Sequence, residues 1–254
     1  MKCKKILTAL LAAACTMSGC HGDLDIMQDN KLSASNVRFD DSDAATAISG
    51  IYLYMRDALK SVHDIYLCWG EFRNGLWGAG TNKTLSGVDQ TQVRTSTMSS
   101  SNAYADWSVM YKTVNQANLI LKHVPEMGIS ESVRNFSLGN AYFSRAWCYF
   151  WIARIWGDAP LALTGYESTA GDLYLPRAPK AEIFARIESD LTEAERYVTD
   201  NSDKAVATPA AVQMLKADYA LWMYRVAGGG SSYLAMAEKA IEALNLSASR
   251  LESD

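Results

Sequence analysis

Asn140-Ala-Tyr-Phe-Ser-Arg-Ala-Trp-Cys-Tyr-Phe-Trp-Ile-Ala-Arg-Ile-Trp-Gly-Asp-Ala-Pro-Leu-Ala-Leu163 is the stretch whose reading decides the fold. Leu138, Tyr142, Arg145, Tyr149, Ile152 and Trp156 recur at three and four residues, which is one stripe of a helix. Phe143, Trp147, Phe150, Trp151 and Arg154 make a second stripe, so little of the circumference is left for water. A helix apolar nearly all round is buried, with other helices packed on several sides. Gly157 can take the left-handed conformation that closes a helix, and Pro160 forbids continuation. A membrane span would hold Arg145 and Arg154 in hydrocarbon, which is costly. The stretch therefore predicts the central helix of a water-soluble all-α domain. Its two arginines need carboxylate partners, because an unpaired buried charge costs several kcal/mol. Asp158, just past the helix, and Asp190, on a later one, are the candidates for a structural ion pair.

Upstream, the N-terminus sets the compartment. Lys2, Lys4 and Lys5 precede a short apolar run from Ile6 to Cys15, too short to span a bilayer and typical of a secretory signal. Met17-Ser18-Gly19-Cys20 resembles a bacterial lipobox, although Leu is usual where Met17 stands. Residues 1–19 are thus expected to be a lipoprotein signal peptide, with Cys20 lipidated as the first mature residue. Residues 20–40, acidic at the start and without helical periodicity, read as a lipid-anchored tether. Removal of residues 1–19 takes away three lysines and no acids. The 24 basic residues fall to 21 against 28 acidic ones, a formal charge of −7. That balance argues against nucleic acid, which favours basic patches. Cys68 and Cys148 remain as thiols that could pair, and nothing in their spacing demands it.

The body, residues 41–254, is read as a succession of helices. Asp40 to Asp43 offer caps for a helix carrying Ala44, Ala47, Ile48, Ile51, Tyr52, Met55 and Leu59. From about residue 61 to 102, glycines around Trp69 and Trp77 and a Ser/Thr-rich run from Thr91 to Ser101 predict a long irregular excursion. Helix resumes near Ala103, with Trp107, Met110, Tyr111, Val114, Ala117, Asn118 and Leu121 on one face, and ends at Pro125 and Gly128. After the central helix, Pro179 suits the first position of another helix. That helix turns Ile183, Ile187, Leu191 and Ala194 inward and Glu182, Arg186 and Asp190 outward. Two more span roughly Pro209 to Val226 and Tyr233 to Leu246. Helix pairs with short loops and wide apolar stripes suggest packing like that of tetratricopeptide repeats, although no clean 34-residue repeat is present.

Several of these segments resemble the SusD/RagB family. Arg145-Ala146-Trp147-Cys148-Tyr149-Phe150 followed by Trp156-Gly157-Asp158-Ala159-Pro160-Leu161 is similar to its signature. So are Ala47 to Tyr52, the series Trp107, Tyr111, Asn115, Asn118, and the run from Pro176-Arg177 through Glu182-Ile183-Phe184 to Asp190-Leu191. The resemblance covers about residues 20 to 246. It implies a glycan-binding lipoprotein of the outer membrane that exposes its ligand site at the cell surface. Such a protein hands polysaccharide or oligosaccharide to a SusC-like TonB-dependent transporter, over which it sits as a lid. Members run to about twice this length, so the resemblance implies a truncated form or a fragment corresponding to the N-terminal half.

No catalytic motif accompanies these patterns. His21, His63 and His123 are scattered, with no metal spacing, and no P-loop, nucleotide fingerprint or nucleophile elbow occurs. No cofactor is implied. Glu188/Asp190 and Glu193/Glu195 point different ways on their helix and read as a solvated, salt-bridged face rather than a glycosidase pair. Trp147, Trp151, Trp156 and Trp222 are expected in the core. Trp69 and Trp77 lie where no packing face explains them, and a planar aromatic can cover the C–H face of a sugar while polar groups bond its rim. With Glu71, Arg73, Asn74 and Asn82 around them they form the candidate ligand site, and the resembling family places its glycan-contacting aromatics in the same region. Anchoring of the loop into the core is the competing role for both tryptophans. The alternative function is a periplasm-facing helical scaffold that binds protein and no sugar.

Overall fold

The protein, a computed structural model, is described over residues 40–70, 74, 88–168 and 173–244, with the backbone alone at 62–64. The signal peptide, Cys20 and the tether up to residue 39 lie outside the described residues. Helix α1 spans Asp41–Gly70, α2 Val88–Thr95, α3 Ser108–His123, α4 Glu131–Trp156, α5 Lys180–Tyr197, α6 Pro209–Arg225 and α7 Ser231–Ala243. Short 3₁₀ turns occupy Ala103–Ala105 and Val124–Glu126. The only strands among the described residues are β1 (Ala159–Pro160) and β2 (Arg177–Ala178), paired antiparallel. No helix among the described residues is long and apolar enough to cross a membrane.

The first helix begins where Asp40 caps it: its carboxylate accepts from the backbone N–H groups of Ser42 (2.8 Å) and Asp43 (3.0 Å). Its buried stripe is Ala44, Ile48, Ile51, Met55, Ala58, Ile65, Cys68 and Trp69. The stripe continues at helical spacing well past Leu59, so residues 61–70 are helix and not the start of an irregular excursion. The Ser/Thr-rich run also holds a helix, α2, anchored by buried Val93 and closed by Ser96 at φ 57°. Hydroxyl residues weaken such a turn without forbidding it, and Thr95 satisfies its side chain on the Thr91 carbonyl (2.8 Å).

Helix α4 packs against α1, α3, α5 and α6, while α6 and α7 form a final pair. Its middle is fully buried at Ala146, Cys148, Tyr149, Phe150 and Ile152. It meets the end of α5 so closely that a Cβ on Gly139 would sit 2.7 Å from Val198 Cγ2. The helix stops at Gly157, whose φ of +71° suits a residue without a side chain.

Arg145 (4 % exposed) is gripped by Asp190 (0 % exposed) through two charge-assisted bonds of 2.8 and 2.7 Å. Asn118 accepts a third bond at 2.7 Å. Asp190 therefore points inward from α5, not outward as its spacing with Arg186 suggested. Arg186 still approaches it at 3.5 Å, so the carboxylate serves two guanidiniums. Asp158, the other candidate partner, instead caps α5 by accepting from the Lys180 N–H at 2.8 Å. That makes Pro179 the cap residue and Lys180 the first of the helix. Cys68 and Cys148 are both buried and no disulfide joins them.

Candidate functional site

The C-terminal end of α4 opens into a hollow of about 710 Å³ walled by Trp69, Trp107, Trp151, Trp156 and Trp222, with Arg154 and Arg177 on its lining. Five segments far apart in sequence supply these residues: the end of α1, the start of α3, the last turns of α4, β2 and α6.

Local folding places each of them. Trp69 is 8 % exposed and donates its indole N–H to the Tyr104 carbonyl at 2.8 Å. Its ring meets Trp156 edge-on at 5.2 Å and Trp151 at 5.9 Å. Trp156 donates to the Ala105 carbonyl at 3.1 Å, so the 103–105 turn fixes two walls at once. Burial pushes the Tyr104 hydroxyl up to about 12. Trp107 abuts Trp156 and Tyr111 edge-on, and Trp222 packs on Phe150 and Phe184. Among the described residues, the indole N–H groups of Trp107, Trp151 and Trp222 have no protein acceptor.

The series Trp107, Tyr111, Asn115, Asn118 has a common purpose in the structure. Tyr111, Asn115 and Asn118 bond the segment that follows α4, and Trp107 packs on Trp156 and Arg177 beside them. Tyr111 donates its hydroxyl to the Pro160 carbonyl (2.6 Å), and burial raises that hydroxyl's pKa far above its ordinary value. Asn115 exchanges bonds with the backbone of Tyr166 (2.7 and 3.2 Å), and Asn118 donates to the Ala162 carbonyl (2.9 Å). Buried Tyr149 reaches the same carbonyl at 2.7 Å. The segment after Gly157 is thereby tied to α3 and α4.

The two arginines differ from Arg145. Arg154, expected to be buried, is exposed; it stacks over Phe150 (4.8 Å) and Trp151 (5.6 Å) and meets exposed Asp218 at 3.3 Å. Arg177 lies 4.6 Å over the Trp107 ring and donates to the Asp158 carbonyl at 3.0 Å.

Of the residues singled out from sequence, Trp69 lines this hollow as a buried wall on the last turn of α1, not as a ring on a loop. Asn74 is exposed. Glu71, Arg73, Trp77 and Asn82 lie outside the described residues. Trp147, Trp151, Trp156 and Trp222, expected in the core, are each half-buried, and the last three line the hollow. Periodicity cannot tell a cavity wall from a core face, because both are apolar at helical spacing.

Of the acidic pairs, Glu193 and Glu195 form the salt-bridged face expected of them, with Arg196 (3.6 Å) and Lys216 (2.6 Å), whereas Glu188 and Asp190 are held by partners from other helices. Glu188 accepts from the hydroxyls of Tyr219 (2.8 Å) and Tyr233 (2.7 Å). Glu195 accepts from Gln213 and Lys216 (2.8 and 2.6 Å). Neither lines the hollow. Among the described residues no cluster of His, Cys, Asp or Glu is placed to hold a metal ion. A second hollow, about 660 Å³, lies at the other end of α4 and carries Glu131, Asp200 and Asp203 with Asn135 and Asn140.

Comparison with known proteins gives a consistent result. The SusD-like family model, described as starch-binding and associating with the outer membrane, matches residues 79–222, more than half of the chain. SusD-like protein P38 of Formosa agariphila is 25 % identical over 190 residues, covering 75 % of this chain and 36 % of that protein. The solved structure of NanU from B. fragilis superimposes with a TM-score of 0.69 at 28 % identity, over 85 % of this chain and 44 % of that one. A solved structure with xylogluco-oligosaccharide gives a TM-score of 0.67 at 21 % identity, a likeness of fold alone, over 83 % and 41 %. This chain thus spans about a third of the curated relative and less than half of either structure.

Proposed function

The chain belongs to the SusD-like family of binding proteins, not enzymes, which is associated with the outer membrane; from that premise we propose that it captures glycan in the tryptophan-walled hollow at the end of α4. The observation that carries this reading is the set of half-buried indoles whose N–H groups have no described acceptor. A sugar ring presents an apolar C–H face and a rim of hydroxyls. Trp107, Trp151 and Trp222 offer both complements, aromatic area and unused donors, inside one concavity, which is the usual form of a small-ligand site. The second hollow has no such wall. A fold neighbour solved with xylogluco-oligosaccharide supports the same ligand class.

The rest of the proposal follows the family. Cys20 would carry the lipid after loss of residues 1–19, residues 20–40 would tether the body to the outer membrane at the cell surface, and a SusC-like TonB-dependent transporter would receive the ligand. Trp69 contributes to the wall, and Glu71, Arg73, Asn74, Trp77 and Asn82 remain candidate contacts from the segment after it. Cys20→Ala should leave the membrane fraction or accumulate as precursor, since lipid is the proposed anchor; normal retention would refute lipidation there.

Calorimetric titration against a polysaccharide panel tests the site. Trp107→Ala and Trp151→Ala should each weaken binding by about 1–3 kcal/mol, the scale for truncating an aromatic hot spot. Unchanged affinity in both variants, with melting curves showing them folded, would move the site elsewhere.

A specific observation favours the scaffold reading as runner-up: α6 turns Met214, Leu221 and Tyr224 to solvent, an apolar face fit for a protein neighbour. Surface proteolysis of intact cells separates the two, because a periplasm-facing scaffold would resist it.

A further inference from the structure

We propose that the tryptophan-walled hollow selects acidic glycans, those bearing a uronate-type carboxylate; the inference rests on the glycan reading of the same cavity and adds its chemical class. The lining is unbalanced in charge. It carries Arg154 and Arg177 and, among the described residues, no carboxylate. The background runs the other way, for the whole chain has 28 acidic against 24 basic residues. Two guanidiniums on a lining whose described residues include no acid are therefore a local inversion.

The lining is unbalanced in hydrogen bonding too. Its polar side chains are the two guanidiniums, the indole N–H groups and the hydroxyls of Ser99 and Ser100. Guanidinium and indole donate only, and only the serines can also accept. A neutral sugar, whose hydroxyls are donors as well as acceptors, is best read by carboxylates and amides, and the described residues of this lining offer neither in their side chains. A carboxylate accepts only, and the planar fork of arginine matches it in two parallel bonds.

Arg177 carries the inference furthest. Stacking on Trp107 and one bond to the Asp158 carbonyl hold its guanidinium in place. It makes no ion pair with any described residue. Its charge is oriented and, among the described residues, unpaired. Arg154 is held over Trp151 in the same way, and its contact with solvent-exposed Asp218 is of the weak surface kind.

The test is titration of the full chain with matched pairs: oligogalacturonide and its methyl ester, and a glucuronate-containing oligosaccharide and its carboxyl-reduced form. Neutral laminari- and xylogluco-oligosaccharides run beside them. The acidic member of a pair should bind at least about tenfold more tightly, the scale of one charge-assisted bond. The advantage should shrink in roughly 0.5 M salt, where exposed charges are screened. Arg177→Gln, whose exposed side chain leaves the core intact, should abolish the preference, and Arg177→Lys should keep part of it. Equal binding of acid and neutral members, a preference for the neutral ones, or an acid preference that survives Arg177→Gln overturns the inference while the glycan reading stands. Failure of every saccharide to bind the folded chain brings down both.

Discussion

Arg145 and Arg154 sit nine residues apart on one helix, and sequence alone poses the same problem for both: a cation on an apolar face. The fold solves it in opposite ways. Arg145 is enclosed, and its guanidinium is matched by Asp190 and Asn118. Arg154 lies at the open end of α4, stacked on rings and loosely tied to Asp218. Closure of the hydrogen-bond set, more than residue type, separates an arginine that holds the fold from one that can meet a ligand. The aromatics of the same helix divide alike. Phe150 is enclosed between Tyr219 and Trp222, whereas Trp151, the next residue, lines the hollow.

Removing Asp190 gives the largest expected effect. Asp190→Ala leaves Arg145 buried without its carboxylate, which should cost about 3–5 kcal/mol. At about 2–4 °C per kcal/mol for a chain of this size, the melting temperature should fall by roughly 6–20 °C. Arg154→Gln should change stability by no more than about 0.5 kcal/mol, as surface substitutions do. Equal losses in a thermal melt would erase the contrast between the two arginines.

Adjacent aromatics sharpen it. Phe150→Ala should cost about 3–5 kcal/mol, because the ring is 1 % exposed and its loss leaves a cavity among aromatic neighbours. Trp151→Ala should cost about 1–2 kcal/mol despite the larger ring, since part of it already faces the hollow and little new void forms. Denaturant unfolding of the two variants measures the difference. A Trp151 cost matching that of Phe150 would return this tryptophan to the core.

Much of the scaffold was legible because helix packing writes itself into local spacing. The stop at Gly157, the cap region at Asp40, the partnership of Asp190 with Arg145 and the limits of α6 are all set by residues close in sequence or by a single charge. The helical position of Trp69 is also written locally. Ile65, Cys68 and Trp69 extend the stripe of Met55 and Ala58 at helical spacing, and the glycines past Gly70 lie beyond the last turn. Helix α2 gave a fainter signal, since one buried valine holds it and its threonines favour other structures. The hollow was not legible at all. Its walls come from α1, α3, α4, β2 and α6, and no single-sequence pattern reports which half-apolar faces converge on space and which on each other. The surplus of unused donors depends on which carbonyls the fold brings to each indole, as it does for Trp69 and Trp156.

The smallest effect compares two carboxylates on α5, Asp190 in the core and Glu195 at the rim. Glu195 has its pKa lowered first by the hydrogen bond from Lys216 and further by that from Gln213, against partial burial. A depressed folded-state value means that the folded chain prefers the ionised carboxylate. The stabilisation is then complete above the ordinary glutamate value, about 4.3, and is lost as pH falls from there through the lowered folded value. The side chain is 43 % exposed, so solvent screening limits the bridge to about 0.5 kcal/mol at most. Lys216→Gln should therefore lower the melting temperature by only about 1–2 °C at pH 7. That gap should close as the pH is taken below the ordinary glutamate value, because protonated Glu195 no longer distinguishes the two proteins. It should also narrow in high salt. The Asp190→Ala deficit, set by an enclosed guanidinium, should persist in the same salt. A Lys216 gap that widened on acidification would reverse the sign of the linkage and show that the bridge does not stabilise the ionised form. Similar salt sensitivity for both deficits would mean that water reaches Asp190 as readily as it reaches Glu195.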